Sequence, residues 1–291
     1  MAALRDIKRK ITAVQKTKQI TRAMNMVAAS KLRSSQLRME NFRPYAVKFM
    51  DVLMSLALRV DSRMHPLLAV RIPNKIRLIV VTSDRGLCGG FNTNVIKTAE
   101  RFIKEKTQQG KEVQIITVGR KGYDYFRRKI KVISAHSDVF SKFDMTLASR
   151  IGEDAIPSFI SEEYDELYMI FSEFRSVAIQ RPKVVRLLPI PSLADEESVS
   201  DDKRVDYTYE PSDEELLNRL LPMYIRVLLY RALVETSAGE NAARMMAMDN
   251  ATSNCDEMVQ SLTLMFNKTR QAQITKELMD IVGGAEALTG K

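Results

Sequence analysis

Cysteine and histidine are scarce in this 291-residue chain, which has two of each and no tryptophan. Cys88 and Cys255 lie 167 positions apart, leaving no disulfide framework and no ligand spacing for zinc. His65 and His136 each stand alone, so a histidine-based triad or metal site has too few members. Long apolar runs are missing as well: the longest, LLNRLLPMYIRVLLYRALV, is broken by Arg219, Pro222, Arg226 and Arg231. That excludes a membrane span or a secretory h-region of ordinary type, and points to a soluble or peripherally bound chain with no direct membrane insertion. Glycine does not occur before Gly86, and Pro44 is the only proline among the first 60 residues. Nothing there breaks a helix except Pro44, where a bend is expected.

What remains is an ordinary globular composition, 45% hydrophobic and 28% charged. The net charge of +9 is unevenly spread. Residues 1–60 hold 13 Lys+Arg against 3 Asp+Glu, which leaves 32 against 33 for the other 231 residues. The whole excess lies in the first fifth.

A three-four spacing runs from Leu4 through Ile7, Ile11 and Val14 to Leu53, Leu56 and Val60, and 13 of its 17 positions are apolar. This is a heptad seam over 1–60, and one helix of about 85 Å would need a partner along its length. Residues 211–291 supply one. Counted from Leu216 to Met279, 14 of 19 seam positions are apolar, and this arm carries 8 Lys+Arg against 11 Asp+Glu. The opposite charges favour pairing, the chain's return makes the pair antiparallel, and the repeat predicts a left-handed coiled coil. Pro211, Ser212 and Asp213 provide a start, and Gly283 and Gly284 an expected end.

Between the arms, residues 61–210 change period. Strand runs at 75–83, 112–119, 166–174 and 177–190 alternate with helical segments near 94–106, at YDYFRRK and around 144–163. That pattern is a Rossmann-like α/β domain with a largely parallel sheet, linked to the second arm by Pro189, Pro191 and the acidic DEESVSDDK.

Four features invite a functional reading. SDRGLCGGFN at 83–92 sits at a strand-to-helix turn where backbone N–H groups could meet a phosphate, but it is neither a Walker A loop nor GxGxxG; a tight turn explains its glycines equally well, and Cys88 reads as a small buried hydrophobe. Lys8, Arg9, Lys10, Lys16, Lys18 and Arg22 form a basic face suited to nucleic acid, to an acidic protein or simply to solvent. Lys18, Thr21 and Asn25 in one arm, with Ser237, Asn241 and Arg244 in the other, interrupt the seam; they either specify register or present polar groups outward. Sixteen methionines, among them Met24, Met26, Met245, Met246 and Met248 around this break, are core filler or a soft partner surface.

At QKTKQITRAMNMVAASKLRSSQ (15–36), SDRGLCGGFN (83–92), NAARMMAMDNATSNC (241–255) and FNKTRQAQITKELMDIVGGAEAL (266–288), the sequence resembles the γ subunits of F1Fo ATP synthases over essentially its whole length. The resemblance implies a non-catalytic, cofactor-free rotor turning inside a ring of α and β subunits. Its foot would sit beside ε and the c ring on the cytoplasmic face of a bacterial inner membrane. By similarity, Arg270, Gln271 and Thr275 hydrogen-bond the β catch loops, Met24 and Arg244 meet the β levers, and Tyr207 and Glu210 pack on the c ring. The cysteine pair inserted in the chloroplast form is absent, which makes thiol switching doubtful and the bacterial form the expected one. The other readings to be separated from this one are a basic coiled-coil nucleic-acid-binding protein and a small nucleotide-using α/β enzyme.

Overall fold

A computed structural model describes residues 2–57, 65–141, 143–190 and 212–289. The chain divides into two compact units: residues 28–244, and residues 1–27 with 245–291. Helices α1 (Ala2–Ala57) and α5 (Asp213–Thr289) contribute to both.

The larger unit is built on a five-stranded sheet of order β3-β2-β1-β4-β5. Its strands are β1 (Lys75–Val81), β2 (Glu112–Val118), β3 (Val132–His136), β4 (Glu166–Phe174) and β5 (Gln180–Leu188). All neighbours are parallel except β4 and β5. The central strand β1 is buried along its length after Lys75, as a continuous β-branched run between two helical layers should be. Helices α2 (Phe91–Gln108), α3 (Arg120–Phe126) and α4 (Met145–Ile160) complete the βα alternation. Asp144 begins α4 by accepting from the N–H groups of Thr146 and Leu147 at 3.0 and 3.3 Å. Gly119, at φ +92°, is the one residue type that fits the β2–α3 turn, because a Cβ there would lie 2.0 Å from the Thr82 carbonyl oxygen.

One face of the sheet packs on α2 through Val95, Ala99, Phe102 and Ile103. The other packs on α4 and on the two long helices, where Phe49, Leu53 and Leu56 of α1 meet Leu217, Leu221 and Ile225 of α5. Each such side chain, fully buried, contributes about 1.5–3 kcal/mol. From Ala232 to Ala242 α5 is buried on every side, and five of the eleven residues there are small: Ala232, Ser237, Ala238, Gly239 and Ala242. A Cβ on Gly239 would sit 2.9 Å from the Phe91 ring. Antiparallel pairing of the helices in this unit is fixed by Ser35 Oγ and Ser237 Oγ at 3.0 Å, by the edge-on contact of Phe42 with Tyr230, and by Tyr45 beside Met223.

The smaller unit is a two-helix pair, also antiparallel. Lys18 Nζ donates to Asp256, Thr21 Oγ1 and Thr252 Oγ1 lie 2.8 Å apart, and Asn25 Nδ2 donates to the Met245 carbonyl at 2.9 Å. As one number rises the other falls.

The expected seam of α1 is the observed one: every described side chain from Leu4 to Leu56 in that series is buried or half-buried. In α5 the expected seam misses at Met223 and, beyond Cys255, keeps only Leu262 and Thr269. Met258, Met265, Lys276 and Met279 are exposed, and the sheltered positions are Val259, Leu262, Phe266, Thr269 and Gln273. An α-helix drifts by about 20° per heptad against a strict seven-residue count, so six heptads from Leu216 move the seam by about one residue. Ser212 caps α5 as expected, its Oγ accepting from Glu215 N at 3.2 Å. Gly283 and Gly284 do not end it: the helix runs through both to Thr289. Strand β3 was not expected, because VISAH is too short and too weakly patterned to stand out. The run 177–190 shortens to β5, with residues 176–179 forming a turn closed by Ile179 N and the Ser176 carbonyl at 3.2 Å.

Candidate functional site

Arg270, Gln271 and Thr275 lie within two turns of α5, and all three are exposed. The register places residues beyond about 272 past Ala2, so among the described residues this end of α5 runs beside no other helix of its own unit. Ile274, Leu278, Met279 and Ile281 are more than half exposed there. Apolar contacts and hydrogen-bonding heads are therefore presented on one bare helix.

The polar break in the smaller unit lines an open depression of about 340 Å³ formed by Lys18, Arg22, Asn25, Met26, Asp249, Thr252 and Asp256. Two cations and two carboxylates share it, and only Lys18 and Asp256 neutralise each other by direct contact among the described residues. Met26 is 60% exposed, whereas Met24 is half-buried. Of the two uses suggested by the sequence, the break residues show the register one, Thr21 with Thr252 and Asn25 with the Met245 carbonyl; the exposed side chains beside them are Arg22, Met26 and Asp249. The break residues of the two arms do not oppose one another. Ser237 faces Ser35, and Asn241 Nδ2 donates to the Ser237 carbonyl of its own helix at 2.8 Å.

Arg244 is committed within the chain. Its Nη2 lies 2.6 Å from Glu240 Oε1 and 3.2 Å from the Gly86 carbonyl oxygen, and its Nη1 lies 3.4 Å from Asn241 Oδ1. The two side chains of the ion pair are only 12% and 7% exposed. Burial pushes the Glu240 carboxyl above the ordinary carboxylate range, and Arg244 draws it back down. Spacing Glu240 and Arg244 four apart on a helix was the available sequence signal; their burial was not visible in it.

The glycine loop that Arg244 holds is satisfied from inside. Ser83 N and Oγ donate to Asn92 Oδ1 and the Arg85 carbonyl at 2.9 and 2.6 Å. Asp84 accepts from Arg120 N, Asp138 N and Phe140 N at 3.0, 2.8 and 3.0 Å. A phosphate here would meet the Asp84 carboxylate, and the loop's side chains are tied to its own backbone, as in a tight packed turn. The Cys88 thiol is buried and its pKa is pushed up by that burial, which suits the small hydrophobe the sequence suggested. In doubly wound sheets ligands bind outside the carboxyl ends of the strands where the order reverses, here between β1 and β4. α5 occupies that place: Glu235 Oε2 accepts from Phe174 N at 3.3 Å, and Gly239 lies against Phe91.

Tyr207 and Glu210 lie outside the described residues. Among the described residues no group of three or more His, Cys, Asp or Glu side chains is placed to hold a metal ion. No helix among them is long and apolar enough to cross a membrane.

The family model described as ATP synthase matches residues 3–288. The ATP synthase gamma chain of Syntrophus aciditrophicus is 64% identical over 288 residues, covering 99% of each chain. That of Nitratidesulfovibrio vulgaris strain Miyazaki F is 52% identical over 293 residues, covering all of both. Among solved structures, a chain of the Tetrahymena thermophila mitochondrial ATP synthase central stalk and c-ring is 28% identical, with a TM-score of 0.60 over 80% of this chain and 99% of that one. A chain of the Euglena gracilis mitochondrial ATP synthase shares the fold at a TM-score of 0.68 and 20% identity, over 99% of this chain and 95% of that one. Nothing in these similarities supports the nucleic-acid reading. With a match running from residue 3 to residue 288 and relatives this similar along their full length, the chain belongs to the ATP synthase gamma-chain family.

Proposed function

We propose that this chain is the central-stalk rotor of an F-type ATP synthase, coupling ion flow through a membrane c ring to ATP synthesis or hydrolysis on β subunits. The observation that carries the reading is the antiparallel α1/α5 pair, continuing in α5 into a bare apolar tip, in a chain that matches its family from end to end. Residues 1–60 and 211–291 form the shaft inside a ring of three α and three β subunits. Residues 61–210 form the foot beside ε and the c ring, with Tyr207 and Glu210 on the ring's polar loops. The assembly lies on the cytoplasmic face of the cell membrane, and this subunit performs no bond chemistry itself.

A rotor shifts each β subunit between conformations only if the shaft interacts differently with them, so its surface must be uneven around the axis. The groove at the polar break and the bare tip supply that unevenness. Arg270, Gln271 and Thr275 offer hydrogen bonds to β catch loops from exposed positions, and Met24 lies beside the groove that takes the β levers. Arg244 acts on the lever contact by holding the glycine loop, since its guanidinium is already bound to Glu240 and Gly86. Contacts that must break on every turn should be shallow. Exposed Met26, Met246, Met258 and Met265 give soft apolar contact, and exposed cations such as Arg22 give charge pairs worth about 0–1 kcal/mol.

The test is reconstitution. The chain mixed with the α and β subunits of its own enzyme should elute with them as one species, and membranes rebuilt with that species should make ATP from an ion gradient. Failure to form a stable assembly would overturn the reading.

A further inference from the structure

The two edges of the sheet are unlike. β5 is protected in the ways natural edge strands usually are: Pro182 removes a donor, and Arg181, Lys183 and Arg186 add charge. β3 carries neither proline nor charge in Val132–His136, and Ile133 is 42% exposed. Its inner register shifts once, between Ile115 and Ile116, and then runs regularly through Thr117↔Ala135 and Val118↔His136. Gly119 N donates to the His136 carbonyl at 2.7 Å, so the backbone of His136 faces β2. Backbone groups alternate sides along a strand, so the N–H and C=O of Ala135 face away from the sheet.

Charge around this edge is one-sided. At the end where β3 begins, Arg127, Arg128, Lys129 and Lys131 are exposed. Lys129 is taken by Glu100 at 3.0 Å, and Arg127 lies 3.9 Å from Asp124. Arg128 and Lys131 have no carboxylate within ion-pair distance among the described residues. At the other end Arg120 and Asp138 neutralise each other at 2.6 Å.

We infer that β3 is an acceptor edge for an extended segment of a partner protein, which adds a sixth strand and carries acidic side chains where it passes Arg128 and Lys131. Main-chain pairing with Ala135 would supply the strand contact, an apolar side chain beside Ile133 would cover it, and the cations would fix which end of the segment lies where. The inference rests on the rotor reading only for the choice of assembly in which to look, and co-elution with the other subunits tests that reading separately.

The experiment is amide hydrogen exchange at residues 132–136, measured on the free chain and on the chain within its purified ATP synthase. The Ala135 amide should exchange on the order of tenfold or more slowly in the assembly. The double variant Arg128→Glu with Lys131→Glu should lose most of that protection, while its exchange as a free chain and its co-elution stay unchanged. Ala135→Pro removes the outward donor without touching a bond to β2, and should likewise expose the neighbouring amides in the assembly. Equal exchange at Ala135 in free and assembled chain would overturn the inference. Protection that survives the charge reversal would overturn the acidic partner.

Discussion

Removing the guanidinium of Arg244 is the most informative single change. Glu240 lies beneath it with a side chain 7% exposed, and the pair is joined at 2.6 Å. Breaking a buried pair by deleting one partner leaves the other charge uncompensated and costs about 3–5 kcal/mol. In a chain of this size that lowers the melting temperature by on the order of 10 °C. The loss depends on pH in a definite direction. Burial already raises the Glu240 pKa above its ordinary value of 4.5, and losing Arg244 raises it further because the arginine was the opposing influence. A carboxyl whose folded pKa is raised binds its proton more tightly when folded, so stability is greatest in acid and falls as pH rises through the folded pKa. Arg244→Met should therefore be least stable, relative to the parent, above neutral pH, and should recover toward pH 5. Adding Glu240→Gln should restore much of the deficit at pH 8. Thermal unfolding of the full chain between pH 5 and 8 reads all three. A deficit below about 1 kcal/mol that is flat with pH would show that the pair is not buried as described.

Further outcomes follow from the same geometry. Gly239→Ala places a Cβ 2.9 Å from the Phe91 ring and should cost about 1–3 kcal/mol by overpacking, read by the same melt; a neutral result would mean the α5–α2 contact is looser. Asp256→Asn removes the partner of half-exposed Lys18 and should cost no more than about 1 kcal/mol, an effect that shrinks as salt is added. Arg270→Ala should change stability by less than about 0.5 kcal/mol because the side chain is exposed, yet reduce coupled ATP synthesis severalfold; equal loss of folding and synthesis would refute its assigned contact.

The first long helix was legible because its seam is regular and no glycine occurs before Gly86, and the second was legible from its seam despite Gly239, Gly283 and Gly284. The phase of the second seam was not, since a seven-residue count accumulates error that only the observed packing corrects, and so Val259 and Phe266 displaced Met258 and Met265. The central sheet was legible where strands are buried on both faces, as in KIRLIVV, and illegible in β3, a short half-exposed edge. Gly283 and Gly284 misled because glycine is a common helix stop but stops nothing by itself; a Cβ at either would meet nothing within 4 Å, and the helix continues to Thr289. Arg270, Gln271 and Thr275 stood out through similarity, and their exposure agrees with a surface role. The commitment of Arg244 to Glu240 and Gly86 was hidden, because Gly86 is 158 positions away in the chain.

Whether this chain turns is the central question. The direct measurement is single-molecule observation of a probe fixed to the α/β domain, with its α and β subunits immobilised and ATP supplied. The account predicts unidirectional stepping, three pauses to each turn, in step with hydrolysis. ATP consumed by the same complexes while the probe only jitters about one orientation would contradict it.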